Sequence, residues 1–374
     1  MFDKQQRPID RRKFLKTMGA AVGATVLGSV AAACSSAPTP PSAPTGAPAA
    51  QPAAAAAAPA AQATAPAVAS AAGKGKVIRV ASVVAPGGAV EKSVNDFAKM
   101  ISERTSGELT VQSYLGGQLG GEVQMIDLHA MGSPEVVVFG SAPLDNIAPE
   151  WGLVLDVPFL MKSQAQFRKI VDGPLGQPAK DAVLQRKGIR IVAYCNRGPR
   201  YLTSNKPINT PADLKGVKMR VPEVEVSVAA WKLLGAVVTP MAMPELYLAL
   251  KQGTVEAEEN PYELVWTSKW YEVQKYLNQT AHVIGAYAIT VSDKWLQSLP
   301  KEQQKIVTDS LVEMAKQEDK YEDEDEAGYV TKLKGAGMIF NPVDIDQFKA
   351  GMKDLPKQFE GRWQPGFYEA VQGA

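Results

Sequence analysis

From about residue 77, segments whose apolar residues have the spacing of a β-strand alternate with segments whose apolar residues have helical spacing. The apolar runs 77–83 and 135–140 and the alternating segment 109–114 predict strands. Apolar residues at helical spacing in 94–101, and again after Gly121, predict a helix between successive strands. This strand–helix–strand order favours a parallel sheet with helices on both faces.

The same alternation continues in the second half of the chain. Helical spacing predicts a helix at about 224–234 and another at 244–253, which has Pro at its start and Gly at its end. The segment 255–260 (VEAEEN) is expected to lead into a loop. Further strands are predicted at 189–194, 217–221, 236–238 and 282–291.

One helical pattern is much longer than the others and extends from Pro300 to about Lys334. A helix of about 30 residues measures ~45 Å, which exceeds the width of one small domain. The folded part contains no internal repeat and no second linker. We therefore expect an α/β fold of two interleaved lobes, which this helix crosses, and not two domains in series.

Composition narrows the classes to which the protein can belong. The chain has 374 residues, 45% hydrophobic and 21% charged, which argues against a polytopic membrane protein and against a wholly disordered chain. Residues 17–374 carry 34 basic and 37 acidic side chains, and this net charge of −3 argues against nucleic acid as a partner.

The residues that usually carry chemistry are scarce. Two cysteines and two histidines argue against a disulfide framework, a metal site and thiol chemistry. His129 and His282 stand in no recognisable catalytic or metal-binding setting, which argues against a secreted hydrolase. The glycine pairs form no nucleotide-binding fingerprint, so no cofactor is expected.

Residues 1–33 have the pattern of an export signal. The basic segment DRRKFLK (10–16) precedes an uncharged run of 17 residues that is rich in small side chains. Arg11-Arg12, followed by Phe14-Leu15-Lys16, resembles a twin-arginine signal, and an ordinary secretory signal is the alternative. Ala31-Ala32-Ala33-Cys34 resembles a bacterial lipobox, although its first position is more often Leu.

The resemblance to a lipobox implies cleavage before Cys34 and attachment of lipid to the sulfur of Cys34. A plain cleavage site is the alternative. Residues 35–72 contain 19 Ala and 8 Pro and no charged residue, which is typical of a disordered linker. The segment 34–73 would then tether a folded domain to the outer face of a membrane. Cys195 lies in the apolar run IRIVAYC and is expected to be buried and inert.

Several sequence blocks resemble the solute-binding subunits of TRAP (tripartite ATP-independent periplasmic) transporters, of the dicarboxylate-receptor (DctP) family. The resemblance covers nearly all of the folded part, and its most specific block is DLKGxKxR followed by VP. The blocks are GQLGGEVQM (117–125), VPFL (157–160), 197–223, 240–261 and KWYEVQKYL (269–277).

The family implies a periplasmic-binding-protein clamshell, with two α/β lobes joined by hinge strands and closing on a small organic anion. By analogy, one lobe would comprise 77–197 plus 286–325, and the other 198–285 plus 326–374. The receptor would deliver its ligand to a TRAP permease in the membrane. A ligand-sensing receptor of the same fold is one alternative. An ABC-type receptor is another, although that class lacks the DLKGxKxR block.

Three residues match ligand-binding positions of the family. Arg220 matches the arginine that pairs with the ligand carboxylate, and a guanidinium can hold a carboxylate by two parallel hydrogen bonds. Arg200 matches a second arginine near the ligand, and a structural ion pair between the lobes is its alternative. Asn260 matches an asparagine that hydrogen-bonds the ligand, but a turn before Pro261 explains it equally well.

Four further residues are weaker candidates for the ligand site. Met243 stands where many relatives carry an aromatic ring, which suggests a more adaptable apolar wall. Glu122 could reach the cleft, although a helix N-terminus favours any carboxylate. Gly140 and Ser141 end a buried strand, where the ligand could approach the backbone, and a tight turn is the alternative.

Tyr262 and Trp266 are the last candidates. They would lie about one helical turn apart and could form a wall of the cleft. Aromatic residues at that spacing are more often part of a core.

Overall fold

The computed structural model describes residues 76–374, which belong to one compact unit. The export signal, Cys34 and the Ala/Pro linker lie outside the described residues, so the predictions about them remain predictions. No helix within 76–374 is long and apolar enough to cross a membrane.

Nine strands form one sheet in the order β2-β1-β3-β8-β4-β7-β5-β6, with β9 paired to β8. The predicted strands of the first half are present, and β3 is buried along its whole length. The strands are β1 (Lys76–Ser82), β2 (Leu109–Tyr114), β3 (Val136–Gly140), β4 (Ile189–Ser204), β5 (Lys218–Val221), β6 (Val237–Pro240), β7 (Ala257–Asn260), β8 (Tyr276–Ser292) and β9 (Ile339–Asn341).

The sheet is mixed, so the expectation of a parallel sheet was wrong for its centre. β1 pairs parallel with β2 and β3, and β5 pairs parallel with β6 and β7. β8, however, runs antiparallel to β3 and β4, and β4 runs antiparallel to β7. The strand–helix order predicted the parallel pairs correctly, but it carried no information about the direction in which the two long strands cross the sheet.

Strands β4 and β8 are much longer than predicted, with 16 and 17 residues. They pair from Ile189 opposite Ser292 to Ser204 opposite Tyr276. Strands β1 to β3 lie on one side of this central pair, and β5 to β7 lie on the other. The central pair therefore connects two halves, each of which contains its own parallel strands.

Twelve α-helices cover the sheet in the described part. They are α1 (Ala89–Arg104), α2 (Glu122–Ala130), α3 (Ser141–Asp145), α4 (Gln164–Val171), α5 (Gln177–Lys187), α6 (Glu225–Leu233), α7 (Leu246–Lys251), α8 (Tyr262–Thr267), α9 (Asp293–Gln297), α10 (Lys301–Gly335), α11 (Ile345–Met352) and α12 (Phe367–Gly373).

Helix α10 is the long helix that the sequence predicts, and its 35 residues span about 52 Å. It packs against α1, which follows β1, against the central strand β4, and against α8, which follows β7. It therefore contacts elements from both halves of the sheet. The residues that it buries include Glu318 and Glu322, which lie on a mainly apolar helix face.

Candidate functional site

A polar cavity lies where the parallel strands β5, β6 and β7 end. Arg220 is the penultimate residue of β5, Met241 follows β6, and Asn260 is the last residue of β7. Because carboxyl ends of parallel strands meet at one edge of a sheet, residues distant in sequence converge there. The lining side chains include Glu122, Ser141, Asp156, Arg197, Arg200, Arg220, Ser227, Trp231, Met243, Glu259, Asn260 and His282.

Arg220 is buried at this edge, with 4% of its surface exposed. Its Nε and Nη2 both donate to the carbonyl oxygen of Met241, at 2.9 and 2.7 Å. No carboxylate among the described side chains lies within 4.0 Å of it. Burial lowers the pKa of Arg220 to about 10, against the opposing effect of Glu258, so the guanidinium is charged at neutral pH. Arg220 is thus a positive charge held in a fixed position, and not all of its N–H groups donate hydrogen bonds within the described structure.

Arg200 is held differently, in a buried ion pair with Glu259. Its Nε donates to Glu259 Oε2, and its Nη2 donates to Oε1 at 2.8 Å and to the backbone carbonyl at 2.6 Å. Burial alone would raise the pKa of Glu259, but Arg200 and a hydrogen bond from His282 lower it to about 2. The charge of Arg200 is thus already met within the protein. Because Arg200 and Glu259 both belong to the segment 198–285, this structural pair is not the one between the lobes that the sequence offered as the alternative.

His282 completes this group. Its Nε2 lies 3.0 Å from Glu259 Oε2, and its Nδ1 lies 2.9 Å from the hydroxyl of Thr280. Burial lowers the pKa of His282, so the imidazole is neutral at neutral pH. Because an ionised carboxylate only accepts hydrogen bonds, Nε2 carries the proton and Nδ1 accepts from Thr280. His282 therefore orients the Glu259 carboxylate toward Arg200.

Asn260 is oriented by its neighbour on β7. Its Nδ2 donates to Glu258 Oε2 at 2.7 Å, and the Thr203 hydroxyl donates to Oε1 at 2.6 Å. Burial raises the pKa of Glu258 to about 7. The segment 255–260 contains the strand β7, whose four residues are all buried, and only Pro261 separates this strand from α8 where a loop was expected. The polar side chains of β7 are buried because they pair with one another and with β4.

Glu122 and Ser141 reach the cavity from helices α2 and α3. Glu122 Oε1 accepts a hydrogen bond from the backbone N–H of Gly140 at 2.8 Å. Gly140 itself does not line the cavity, but it holds Glu122 at the edge. Met243, in the 3₁₀ turn Met243–Glu245, contributes an apolar part of the wall.

Arg197 reaches the same cavity because of an irregularity in β4. The pairing with β8 shifts between Asn196, opposite Ala286, and Pro199, opposite Ile284, so β4 contains one extra residue there. Gly198 takes a left-handed φ of 70° at this bulge. Residues three apart face opposite sides of a regular strand, but the bulge turns Arg197 and Arg200 into one cavity.

The structure thus brings together six of the nine candidates: Glu122, Ser141, Arg200, Arg220, Met243 and Asn260. It places the two aromatic candidates elsewhere. Tyr262 stacks on Tyr201 with ring centroids 4.2 Å apart, and Trp266 stacks on Tyr271 at 4.8 Å. Neither ring lines the cavity, in keeping with the core interpretation that the sequence left open.

Sequence reasoning missed Arg197, Glu259, His282 and Trp231 as lining residues. Glu259 stands directly before Asn260 in the family block, so its position was a usable signal. His282 was expected to be purely structural, and its ring makes a T-shaped contact with Trp231, with centroids 4.9 Å apart. Arg197 is the first residue of the family block 197–223, but its orientation depends on the bulge, which the sequence does not reveal. Within 76–374, no cluster of His, Cys, Asp and Glu could hold a metal ion.

Comparison with known proteins places this geometry in a family. The family model described as bacterial extracellular solute-binding protein, family 7 (DctP) matches residues 80–362. The chain belongs to the DctP family. Members of this family are periplasmic substrate-binding proteins and not enzymes, and the two-lobed α/β fold is the one that TRAP solute-binding proteins share.

Several DctP-family relatives have known ligands. The 2,3-diketo-L-gulonate-binding periplasmic protein YiaO of Escherichia coli K12 is 34% identical over 272 residues, which are 70% of this chain and 82% of YiaO. A TRAP solute-binding protein from Roseobacter denitrificans, solved with L-galactonate, superposes with a TM-score of 0.76 at 29% identity, over 80% of this chain and 98% of the other.

A third relative is the sugar acid-binding protein DctPAm from Advenella mimigardefordensis, solved with galactonate. It has a TM-score of 0.77 and 27% identity, and the match covers 80% of this chain and 97% of the other. The three DctP-family relatives have in common a ligand that combines a carboxylate with several hydroxyl or keto groups.

Proposed function

We propose that this protein is a receptor for a small hydroxylated organic acid, whose carboxylate pairs with Arg220, and that it delivers this acid to a TRAP-type permease. The observation that carries the proposal is the state of Arg220. It is a buried cation at the strand ends, with no carboxylate partner in the described structure, whereas Arg200 beside it is paired with Glu259. A ligand carboxylate supplies the missing counter-charge.

The polar lining supports a hydroxylated ligand. Glu122 accepts through one oxygen from Gly140, and the Asn260 amide is oriented through Glu258. Each of these side chains therefore has another polar atom, held in a fixed position beside Arg220, that can form a hydrogen bond with a hydroxyl group of the ligand. The acids bound by YiaO and by the galactonate-binding relatives have this chemistry.

Binding is proposed to require opening and closing of two lobes, 77–197 plus 286–325 and 198–285 plus 326–374. The cavity has a volume of about 30 Å³, which holds at most a few water molecules and no six-carbon acid. Its walls must therefore separate to admit a ligand. Two of the three proposed boundaries lie on β4 and β8, and the third lies within α10. The bulge at Gly198 supports a hinge on β4.

Placement outside the inner membrane is proposed to involve an export signal in residues 1–33 and a lipid on Cys34, followed by the Ala/Pro linker. Metabolic labelling with a fatty acid tests the anchor. Label is expected in the wild-type chain and not in Cys34→Ala, which should also be released from membranes. Equal labelling of both chains would refute lipidation at Cys34.

Ligand binding is tested by calorimetry on the purified chain against a panel of small carboxylic acids, with and without hydroxyl groups. Arg220→Ala is expected to abolish binding of every acid that the wild-type chain binds. Arg104→Ala is the matched control, because Arg104 lies on the surface and pairs with Glu313. A ligand that binds both variants equally well would overturn the assignment of Arg220.

A further inference from the structure

Arg197 is a second buried arginine whose donors are unused. Only 8% of its surface is exposed, and its Nε is buried without a hydrogen-bond partner. Among the described side chains, no carboxylate lies within 4.0 Å of its guanidinium. A buried donor without an acceptor costs free energy, so such an arrangement in a ligand cavity needs a reason.

The Tyr287 ring and, farther away, the Glu263 carboxyl stabilise the positive charge of Arg197. Its guanidinium carbon lies 5.1 Å from the centroid of the Tyr287 ring, and the Tyr287 hydroxyl donates to Glu263 Oε2 at 3.2 Å. Burial raises the pKa of Glu263, and the positive charge of Arg197 opposes that rise. The aromatic face and the more distant carboxyl thus stabilise the cation without occupying its N–H groups.

The absence of a side chain at Gly140 makes room for Arg197 at the edge of the cavity. A Cβ atom on Gly140 would lie 2.5 Å from Nη1 of Arg197 and 3.3 Å from Glu122 Oε1. The guanidinium therefore lies against the end of β3, beside the carboxylate of Glu122. The bulge at Gly198 turns the side chain toward this position, as described above.

We propose that Arg197 is a second anchor for the ligand. It binds an oxygen acceptor, either a hydroxyl or a carboxylate, at the end of the acid remote from the carboxylate that Arg220 holds. This inference rests on the proposed function and adds the ligand class, an acid with a polar group at each end. A site built to donate to an oxygen discriminates strongly against an analogue that lacks it, because its donors are then left unmet.

Three six-carbon acids test the inference, because they differ only at the far end. L-Fuconate ends in a methyl group, L-galactonate in a hydroxymethyl group and galactarate in a carboxylate. Calorimetry with the full chain is expected to show that Arg197→Gln weakens binding of L-galactonate and galactarate about tenfold or more. Binding of L-fuconate should change by less than about twofold, because no acceptor is lost.

Arg197→Lys is the second variant, since it retains a charge and is expected to restore part of the galactarate affinity. Comparison of the affinities for L-galactonate and galactarate also shows whether Arg197 prefers a hydroxyl or a carboxylate as its acceptor. Equal loss for all three acids would show a merely structural role and overturn the inference. No loss for any acid, or no binding of any of the three to the wild-type chain, would overturn it as well.

The two proposals fail in different ways. Arg220→Ala is expected to abolish binding of all three acids, because all three have the same first carboxylate. If Arg220→Ala has no effect while the Arg197 variants still discriminate, the pairing with Arg220 fails and the Arg197 contact stands. If another acid of the wider panel binds in an Arg220-dependent way and these three do not, the inference about Arg197 fails alone.

Discussion

Arg200 and Glu259 form a buried ion pair in which one guanidinium binds both the side chain and the backbone of the same residue. Nη2 of Arg200 donates to Oε1 of Glu259 at 2.8 Å and to its carbonyl oxygen at 2.6 Å. The pair joins β4 to β7, and its side chains are 9% and 2% exposed. The charges of Arg200 and Glu259 cancel each other, so this pair provides no counter-charge for a neighbouring cation. Arg220 and Arg197 therefore remain without a carboxylate partner in the described cavity.

Arg200→Ala is expected to lower the free energy of unfolding by about 3–5 kcal/mol, because it leaves the carboxylate of Glu259 buried without its partner. Urea unfolding at neutral pH measures the change. Lys305→Ala is the control, since Lys305 and Asp309 form an exposed pair on α10. It should change stability by less than about 0.5 kcal/mol. An equally small effect of Arg200→Ala would contradict the structural role of the pair.

Glu322 is expected to make the fold less stable as the pH rises. Burial, with nearby acidic groups, raises the pKa of Glu322 from 4.5 to about 9. Between these values the unfolded chain has lost the proton and the folded chain retains it. Stability should therefore fall from about pH 5 to pH 9, with a contribution of up to ~1.4 kcal/mol per pH unit.

Glu322→Gln should flatten this slope in urea unfolding, because glutamine has no proton to lose. Glu324→Gln is the control on the same helix, since Glu324 is exposed beside Lys320. It should leave the slope unchanged. The role assigned to Glu322 is wrong if both variants keep the wild-type slope.

Cys195 is expected to be inert in the folded protein. It is fully buried, and burial, together with the neighbouring Glu318, raises the pKa of the thiol above its ordinary value. A Cys34→Ser chain should therefore show no rapidly reacting thiol toward Ellman's reagent until it is denatured. Denaturation should then expose one thiol, since the chain has two cysteines. Rapid reaction of the native chain would disprove the burial of Cys195.

Gly198 and Gly188 form a matched pair for testing the bulge. Both take a left-handed φ, of 70° and 65°, where alanine costs about 1–2 kcal/mol. A Cβ on Gly198 would also lie 3.2 Å from Glu322 Oε1, whereas nothing lies within 4 Å of one on Gly188. Gly198→Ala should be the more destabilising in urea unfolding and should alone weaken ligand binding. Equal effects would show that the bulge tolerates a side chain.

The hydrophobic pattern predicted most of the elements because periods of 2 and 3.6 record which face of a segment is buried. It located β1 to β3, the long helix α10 and the end of β5, where Arg220 stands. It did not identify β7 as a strand, because the buried polar residues of β7 pair with one another and with β4 and form no apolar run. It also underestimated β4 and β8, which continue past their apolar segments across both halves of the sheet.

What the sequence determined by itself was the order and type of most elements, the family, and the position of Arg220 at a strand end. Only the tertiary structure decided which side chains share the cavity. Arg197 enters it through one extra residue in β4, and Tyr262 and Trp266 turn away because their rings stack on Tyr201 and Tyr271. These outcomes depend on register and on packing between distant segments, and local spacing along the chain contains neither.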